Sequence, residues 1–176
     1  MPAVAEGIVD QSNFLDAVYW ELREKLQVLA KDYHRQTGNF LKLRSGVRTC
    51  AQQNALYAQG PAVTKARGCQ SWHVVGRAVD LDPVTPQGTY RPDADYRALG
   101  ASWKLMGGYW GGDITGLYDA GHFQWSPGLT IQGMCPNPDA CTEYPIQTKS
   151  PWPKFYMIAG GIVLTAGVST WLLMRR

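Results

Sequence analysis

The sequence predicts an α+β domain followed by one C-terminal transmembrane helix, and three observations predict it. Residues 14–33 repeat apolar side chains at steps of three and four: Leu15, Val18, Leu22, Leu26, Leu29 and Tyr33. Glu21, Arg23, Glu24 and Lys31 fall mostly off that stripe, as on an amphipathic helix. Residues 41–44, 77–81 and 121–125 are short segments that alternate in the manner of strands. Residues 155–174 form a run of 20 without a charge. As a helix, about 20 residues span the roughly 30 Å hydrocarbon core of a bilayer.

Taken in order, Ser12 or Asn13 can cap helix 14–33, and Gly38 lies just past its end. This helix is scaffold, and His34 on its last turn suits the helix dipole as a surface residue rather than a ligand. Strand 41–44 leads to a short helix over 51–58 with Thr49 as its N-cap, and 60–68 is a loop. Gly76 offers a turn before strand 77–81, where Val79 and Leu81 share one face and Ala78 and Asp80 the other. A turn-rich link over 83–92 precedes a helix over 94–106, and residues 109–113 make a glycine-rich turn. In strand 121–125, Phe123 and Trp125 share one face, His122 and Gln124 the other, and Ser126-Pro127-Gly128 ends it.

Residues 133–154 are rich in Pro, Asn, Thr and Ser without periodicity, so the predicted organisation is a domain over 1–132, a stalk over 133–154 and an anchor over 155–174. A chain of 176 residues supports one domain with a real core. The net charge of +3 is mild and the basic residues are scattered, which excludes a nucleic-acid footprint. Seven tryptophans and nine tyrosines beside 19 glycines and 11 prolines suggest a loop-rich fold with an aromatic surface or cleft. Residues 1–13 have neither a basic start nor an apolar core, so no secretory signal peptide is expected there. Around the anchor, Lys154 precedes and Arg175-Arg176 follows the run, with Trp152, Tyr156 and Trp171 placed as an interfacial belt. Gly161, Thr165 and Ser169 recur at four-residue spacing, a pattern that permits weak homo-association of such helices.

The chemistry centres on residues 71–83. Asp80 lies inside an apolar run, and an unpaired charge there is costly. A metal held jointly with His73 supplies a partner, provided Gly76 turns the chain so that both side chains face one ion. With His122 these make three metal candidates, the number of protein ligands that a catalytic zinc commonly takes.

Several blocks then occur in one order: Ser45-Gly46-Val47-Arg48-Thr49 with Gln53, Leu56-Tyr57-Ala58-Gln59-Gly60, Gln70-Ser71-Trp72-His73 with Gly76 and Ala78-Val79-Asp80, Trp110-Gly111-Gly112-Asp113, and Asp119-Ala120-Gly121-His122-Phe123-Gln124. From about residue 43 to 125 the chain resembles the zinc D-alanyl-D-alanine carboxypeptidase and L-alanyl-D-glutamate endopeptidase family, and most resembles its phage endolysin-type L-alanyl-D-glutamate peptidases. The resemblance implies a small antiparallel sheet that carries a zinc site and is packed by helices in the hedgehog or D,D-peptidase manner. It implies that His73, Asp80 and His122 bind Zn2+ and that Asp119 is the general base. Arg48 matches the arginine that faces a developing oxyanion or a substrate carboxylate, and Gln53 is a further catalytic candidate that its short helix could equally leave solvated. Asp82 either orients a ligand or starts the turn at Pro83, while Trp110 and Asp113 shape the cleft wall. Pro61-Ala62 stands where relatives usually carry a basic residue, a departure that bears on substrate preference.

Four cysteines suggest an oxidising destination, with Cys135–Cys141 closing a turn-rich loop and Cys50–Cys69 bracing the cleft. The expected function is hydrolysis of the L-Ala–D-Glu bond of peptidoglycan stem peptides by a membrane-anchored enzyme of phage origin. It would sit in a virion membrane or the host cell envelope and serve entry or lysis. The alternatives are a D-alanyl-D-alanine carboxypeptidase and an inactive zinc-containing wall-binding module.

Overall fold

The structure, a computed structural model, describes residues 6–137, 140–151, 156–158 and 161–163. A five-stranded sheet is built from β1 (Ile8–Val9), β2 (Phe40–Ser45), β3 (Ala78–Val84), β4 (Tyr109–Trp110) and β5 (His122–Gln124), in the order β1-β2-β3-β5-β4. Only β1 and β2 run parallel; the other pairs are antiparallel. Three helices of two turns or more surround it: α2 (Trp20–Thr37), α3 (Cys50–Tyr57) and α4 (Asp93–Leu105), with one-turn helices α1 (Phe14–Ala17) and α5 (Ile131–Met134).

The expected helix over 14–33 is two helices. Val18 and Tyr19 are extended between α1 and α2, yet Val18 stays fully buried, so the apolar period runs through a break that it cannot reveal. Asn13 precedes α1 but makes no side-chain cap. The Asp10 carboxylate does that work, accepting from the Phe14 and Leu15 N–H groups at 3.0 and 2.8 Å. α2 ends where expected, with Gly38 at φ 71° donating its N–H to the His34 carbonyl. Its buried face, Leu22, Leu26, Leu29 and Tyr33, packs with Leu41, Leu43, Val79, Leu81 and Phe123 from the sheet and Leu99 and Trp103 from α4.

The central strand β3 is buried at every position and runs further than the expected 77–81. Pro83 is tolerated in it for a topological reason. Residues 81 and 83 direct their polar groups to the same side of the strand. Leu81 still meets β5 there, donating to the Gly121 carbonyl at 2.9 Å, but Pro83 lies beyond the end of that strand. Its missing N–H therefore breaks no ladder bond, and its carbonyl accepts from the Arg91 N–H at 2.9 Å.

The described part of 133–151 is bound to the domain rather than standing off it as a stalk. Cys135 is bridged to Cys69 and Cys141 to Cys50, which corrects the expected pairing of neighbours in sequence. Trp20 donates its N–H to the Gln147 carbonyl at 3.0 Å, and Arg23 Nη2 donates to the Thr148 carbonyl at 2.6 Å. Of the expected anchor, only β6 (Tyr156–Ile158) and β7 (Gly161–Val163) lie among the described residues, and they form an antiparallel ladder instead of helix. Four of those six residues are aromatic or β-branched, which suits an extended pair. The rest of 155–174 lies outside the described residues, among which no helix is long and apolar enough to cross a membrane.

Candidate metal centre

Sheet register delivers two of the three candidate ligands. Asp80 on β3 stands directly opposite His122, the first residue of β5, and such cross-strand partners have Cβ atoms only about 4.5–5.5 Å apart. On its other side Asp80 pairs with Ser45, because a register shift between Leu43 and Ser45 leaves Arg44 as an extra residue in β2. The third ligand comes from the turn before β3. Gly76 takes φ 69°, a left-handed conformation that favours glycine, and folds the chain back so that His73 reaches the same point. Arg48 N–H donates to the His73 carbonyl at 3.2 Å and anchors that turn to the end of β2.

His73 Nε2 lies 3.3 Å from Asp80 Oδ1 and 3.3 Å from His122 Nδ1, and His122 Nδ1 lies 3.5 Å from Asp80 Oδ1. An ion held tetrahedrally at about 2.0–2.1 Å by each ligand needs its ligand atoms about 3.3–3.4 Å apart. The triangle fits. His73 Nδ1 lies 2.8 Å from the Gly46 carbonyl, which can only accept, so Nδ1 carries the proton and Nε2 turns its lone pair inward. His122 Nε2 faces Gln124 Oε1 at 3.5 Å, an amide oriented by its own 2.6 Å bond to Ser126 Oγ. Asp80 Oδ1 is buried without a hydrogen-bond partner. Three electron-rich atoms thus converge, and a cation is what such a cluster lacks.

Burial pushes the His73 imidazole below its ordinary range and favours the neutral, ligating form. Burial alone would raise Asp80, but with no ion bound the protonated forms of His73 and His122 outweigh it and hold the carboxyl well below the usual range.

The ligands open onto a cleft of about 740 Å³. Ala62 to Ala66 form one wall, Ile114 to Asp119 supply another, and Trp72, Tyr109 and Tyr118 give it the aromatic lining that composition suggested. Asp119 lines this cleft half-buried, and its carboxylate has no hydrogen-bond or ion-pair partner among the described residues. The turn that places it is closed by His122 N–H on the Asp119 carbonyl at 3.1 Å, which couples the proposed base to a ligand.

Arg48 also lines the cleft, but its guanidinium is committed on three sides. Nη2 donates to Asp80 Oδ2 at 2.5 Å and to Ser45 Oγ at 2.8 Å, and Nη1 donates to Gln53 Oε1 at 3.1 Å. Gln53 is not solvated. It is 1% exposed, sits behind Arg48 rather than in the cleft, and donates to the Ala66 carbonyl at 2.9 Å. Its α3 position follows from the Thr49–Gln52 capping box, which starts that helix one residue earlier than expected. Asp82 does not start a turn; it accepts from Tyr96 Oη at 3.0 Å and faces Arg44 Nη1 at 3.4 Å. Trp110 and Asp113 stand outside the cleft lining: Trp110 is buried, its Nε1 donating to the Ala120 carbonyl, and Asp113 pairs with Lys104 at 2.8 Å. Sequence reasoning gave Gln124 a face shared with His122 but no role, and passed over Ser45, the cross-strand partner of Asp80, and Lys65, which lines the cleft and donates to the Gly116 carbonyl at 3.2 Å.

A two-histidine, one-aspartate triangle, two of its members buried, beneath an open cleft with an unpartnered carboxylate beside it can hold a metal ion and a water for that carboxylate to deprotonate. Residues 64–125, which carry all three ligands and Asp119, match the model of a family described as D-alanyl-D-alanine carboxypeptidase. The chain is also similar to the crystal structure of Serratia marcescens L-Ala D-Glu endopeptidase ChiX, at 22% identity and a TM-score of 0.51 over 67% of this chain and 90% of that one. The motif resemblance is thus joined by a family-model match over residues 64–125 and by a likeness of fold.

Proposed function

We propose that this protein is a zinc endopeptidase that hydrolyses the L-Ala–D-Glu bond of peptidoglycan stem peptides. The observation that carries the reading is the ligand triangle, sized for a tetrahedral ion, at the floor of a peptide-sized cleft. His73, Asp80 and His122 would hold zinc, which when bound supplies Lewis-acid activation of water and of the scissile carbonyl. Asp119 takes a proton from the attacking water and delivers it to the leaving amine, a task open to a half-buried carboxylate with no competing partner. Arg48 holds Asp80 by its Oδ2 and presents the rest of its cationic face to the cleft, where charge develops on the substrate. Gln53 acts through Arg48 as a positioning residue. The Leu56-Tyr57-Ala58-Gln59-Gly60 and Trp110-Gly111-Gly112-Asp113 blocks support the endopeptidase specificity.

A second reading, D,D-carboxypeptidase, is favoured by the description of the family matched over 64–125. Mass spectrometry of products from a defined muropeptide separates the two. Cleavage between L-Ala and D-Glu supports the endopeptidase; free D-alanine without that cut overturns it. The motif resemblance to phage endolysin-type peptidases is in keeping with a phage protein used at entry or lysis. Detection in purified virions supports the entry role, and confinement to lysing host membranes refutes it.

A further inference from the structure

Two disulfides and one packing contact attach residues 135–137 and 140–148 to three places that build the metal site. Cys141 is bridged to Cys50, the first residue of α3, whose Gln53 holds Arg48 against Asp80. Cys135 is bridged to Cys69, four positions before His73 and within the 3-10 turn Gly68–Gln70. Between the bridges lies Gly68. A Cβ there would stand 2.8 Å from Cys141 Sγ, and the Gly68 N–H donates to Asn54 Oδ1 of α3 at 2.8 Å, so both attachments meet at one packed point. The third contact is at Gly76, the turn between His73 and Asp80. Ile146 packs over it so closely that a Cβ would come within 2.7 Å of the isoleucine methyl. Gln147 and Thr148 then fasten the segment to the start of α2.

We infer that Cys135, Cys141 and Ile146 are the grips of a redox-dependent clamp on the metal site: the two bridges and Ile146 hold in place the segments that carry Arg48, His73 and Asp80. The inference rests on His73, Asp80 and His122 being metal ligands. Cys50 and Cys69 are buried, whereas Cys135 and Cys141 are half-buried, so a reductant meets each bridge from the clamp side. Thiol–disulfide exchange with a cellular dithiol puts two electrons and two protons into each bridge, giving two cysteine thiols and leaving the dithiol as its disulfide. An oxidising disulfide-exchange partner reverses the step. The site is therefore assembled where disulfides persist and slack where they do not, which suits an enzyme whose substrate lies outside the membrane.

The test uses the oxidised full-length protein and a phosphine reductant, which does not compete for zinc as thiols do and takes an oxygen from water as it is oxidised. Zinc affinity is measured by competition with a chromophoric chelator before and after reduction, with thiols counted and secondary structure followed by circular dichroism. Loss of outer-shell support weakens metal binding by about 10–100-fold, and that loss, with helix content retained and affinity regained on reoxidation, is the expected result. Ile146→Ala, with both bridges intact, should weaken zinc several-fold in the same direction. Unchanged affinity in the fully reduced protein overturns the clamp, and so does global unfolding on reduction, which would assign the bridges to the fold as a whole. An oxidised protein that binds no zinc overturns the metal centre itself, an outcome distinct from either.

Discussion

Gln53→Ala tests whether the buried amide behind Arg48 supports the site. The truncation removes a bond to a guanidinium, Arg48 Nη1 to Oε1 at 3.1 Å, and one to a carbonyl, Nε2 to Ala66 at 2.9 Å. Bonds to charged groups contribute about 1.5–3 kcal/mol and neutral ones about 0.5–1.5 kcal/mol, so the pair is worth roughly 3 kcal/mol. For a chain of this size each kcal/mol moves the unfolding midpoint by about 2–4 °C, which predicts a fall of roughly 6–12 °C in calorimetry. Activity should fall as well, because Arg48 would keep only Ser45 and Asp80 to hold it. Gln53→Glu should retain the arginine contact but set a carboxylate against the Ala66 carbonyl, giving a smaller loss of turnover than of stability. A Gln53→Ala protein with a midpoint within 2 °C of wild type and normal kcat/KM would refute the reasoning.

Two further predictions concern the cleft. Asp119→Ala should keep zinc and lower turnover by about 10²–10⁴-fold, the range for losing a general acid–base group; near-normal rates would remove Asp119 from the mechanism. The metal-free protein should lose stability on acidification. Burial holds the His73 pKa below its ordinary 6.5, so between that folded value and 6.5 the unfolded chain binds more protons and stability falls as pH falls. Asp80, held below 3.8, contributes stability above that value and loses it as pH drops through its folded pKa. Thermal midpoints in chelator should therefore decline from pH 7 through pH 5.5 by the His73 contribution; a rising midpoint would contradict the burial argument.

How much was legible in the sequence follows from how local each constraint is. Asp80 was readable because a carboxylate in an apolar strand needs a partner, and the alternation around it placed Val79 and Leu81 in the core, where they are. His122 and Gln124 were assigned a common face by the same period of two, and both line the cleft. Helix 14–33 was read correctly in face but not in continuity, since Val18 belongs to the apolar stripe whether or not the backbone breaks beside it. Gln53 was ambiguous because only the packing of α3 against the Thr64–Ala66 loop buries it. The cysteines were the least legible: four allow three pairings, and the observed bridges span separations of 91 and 66 residues. Proximity in sequence favoured Cys135–Cys141, and the expected meeting of two site segments favoured Cys50–Cys69, whereas each early cysteine is bridged to a late one.

The central claim is that His73, Asp80 and His122 form the metal site of a wall peptidase. Metal analysis of the purified full-length protein, with stem-peptide cleavage followed in the presence and absence of chelator, tests it most directly. The account predicts about one zinc per chain, loss of that zinc in His73→Ala and His122→Ala, and cleavage that chelator abolishes and zinc restores. Wild-type protein without zinc, or cleavage indifferent to chelator, would contradict it.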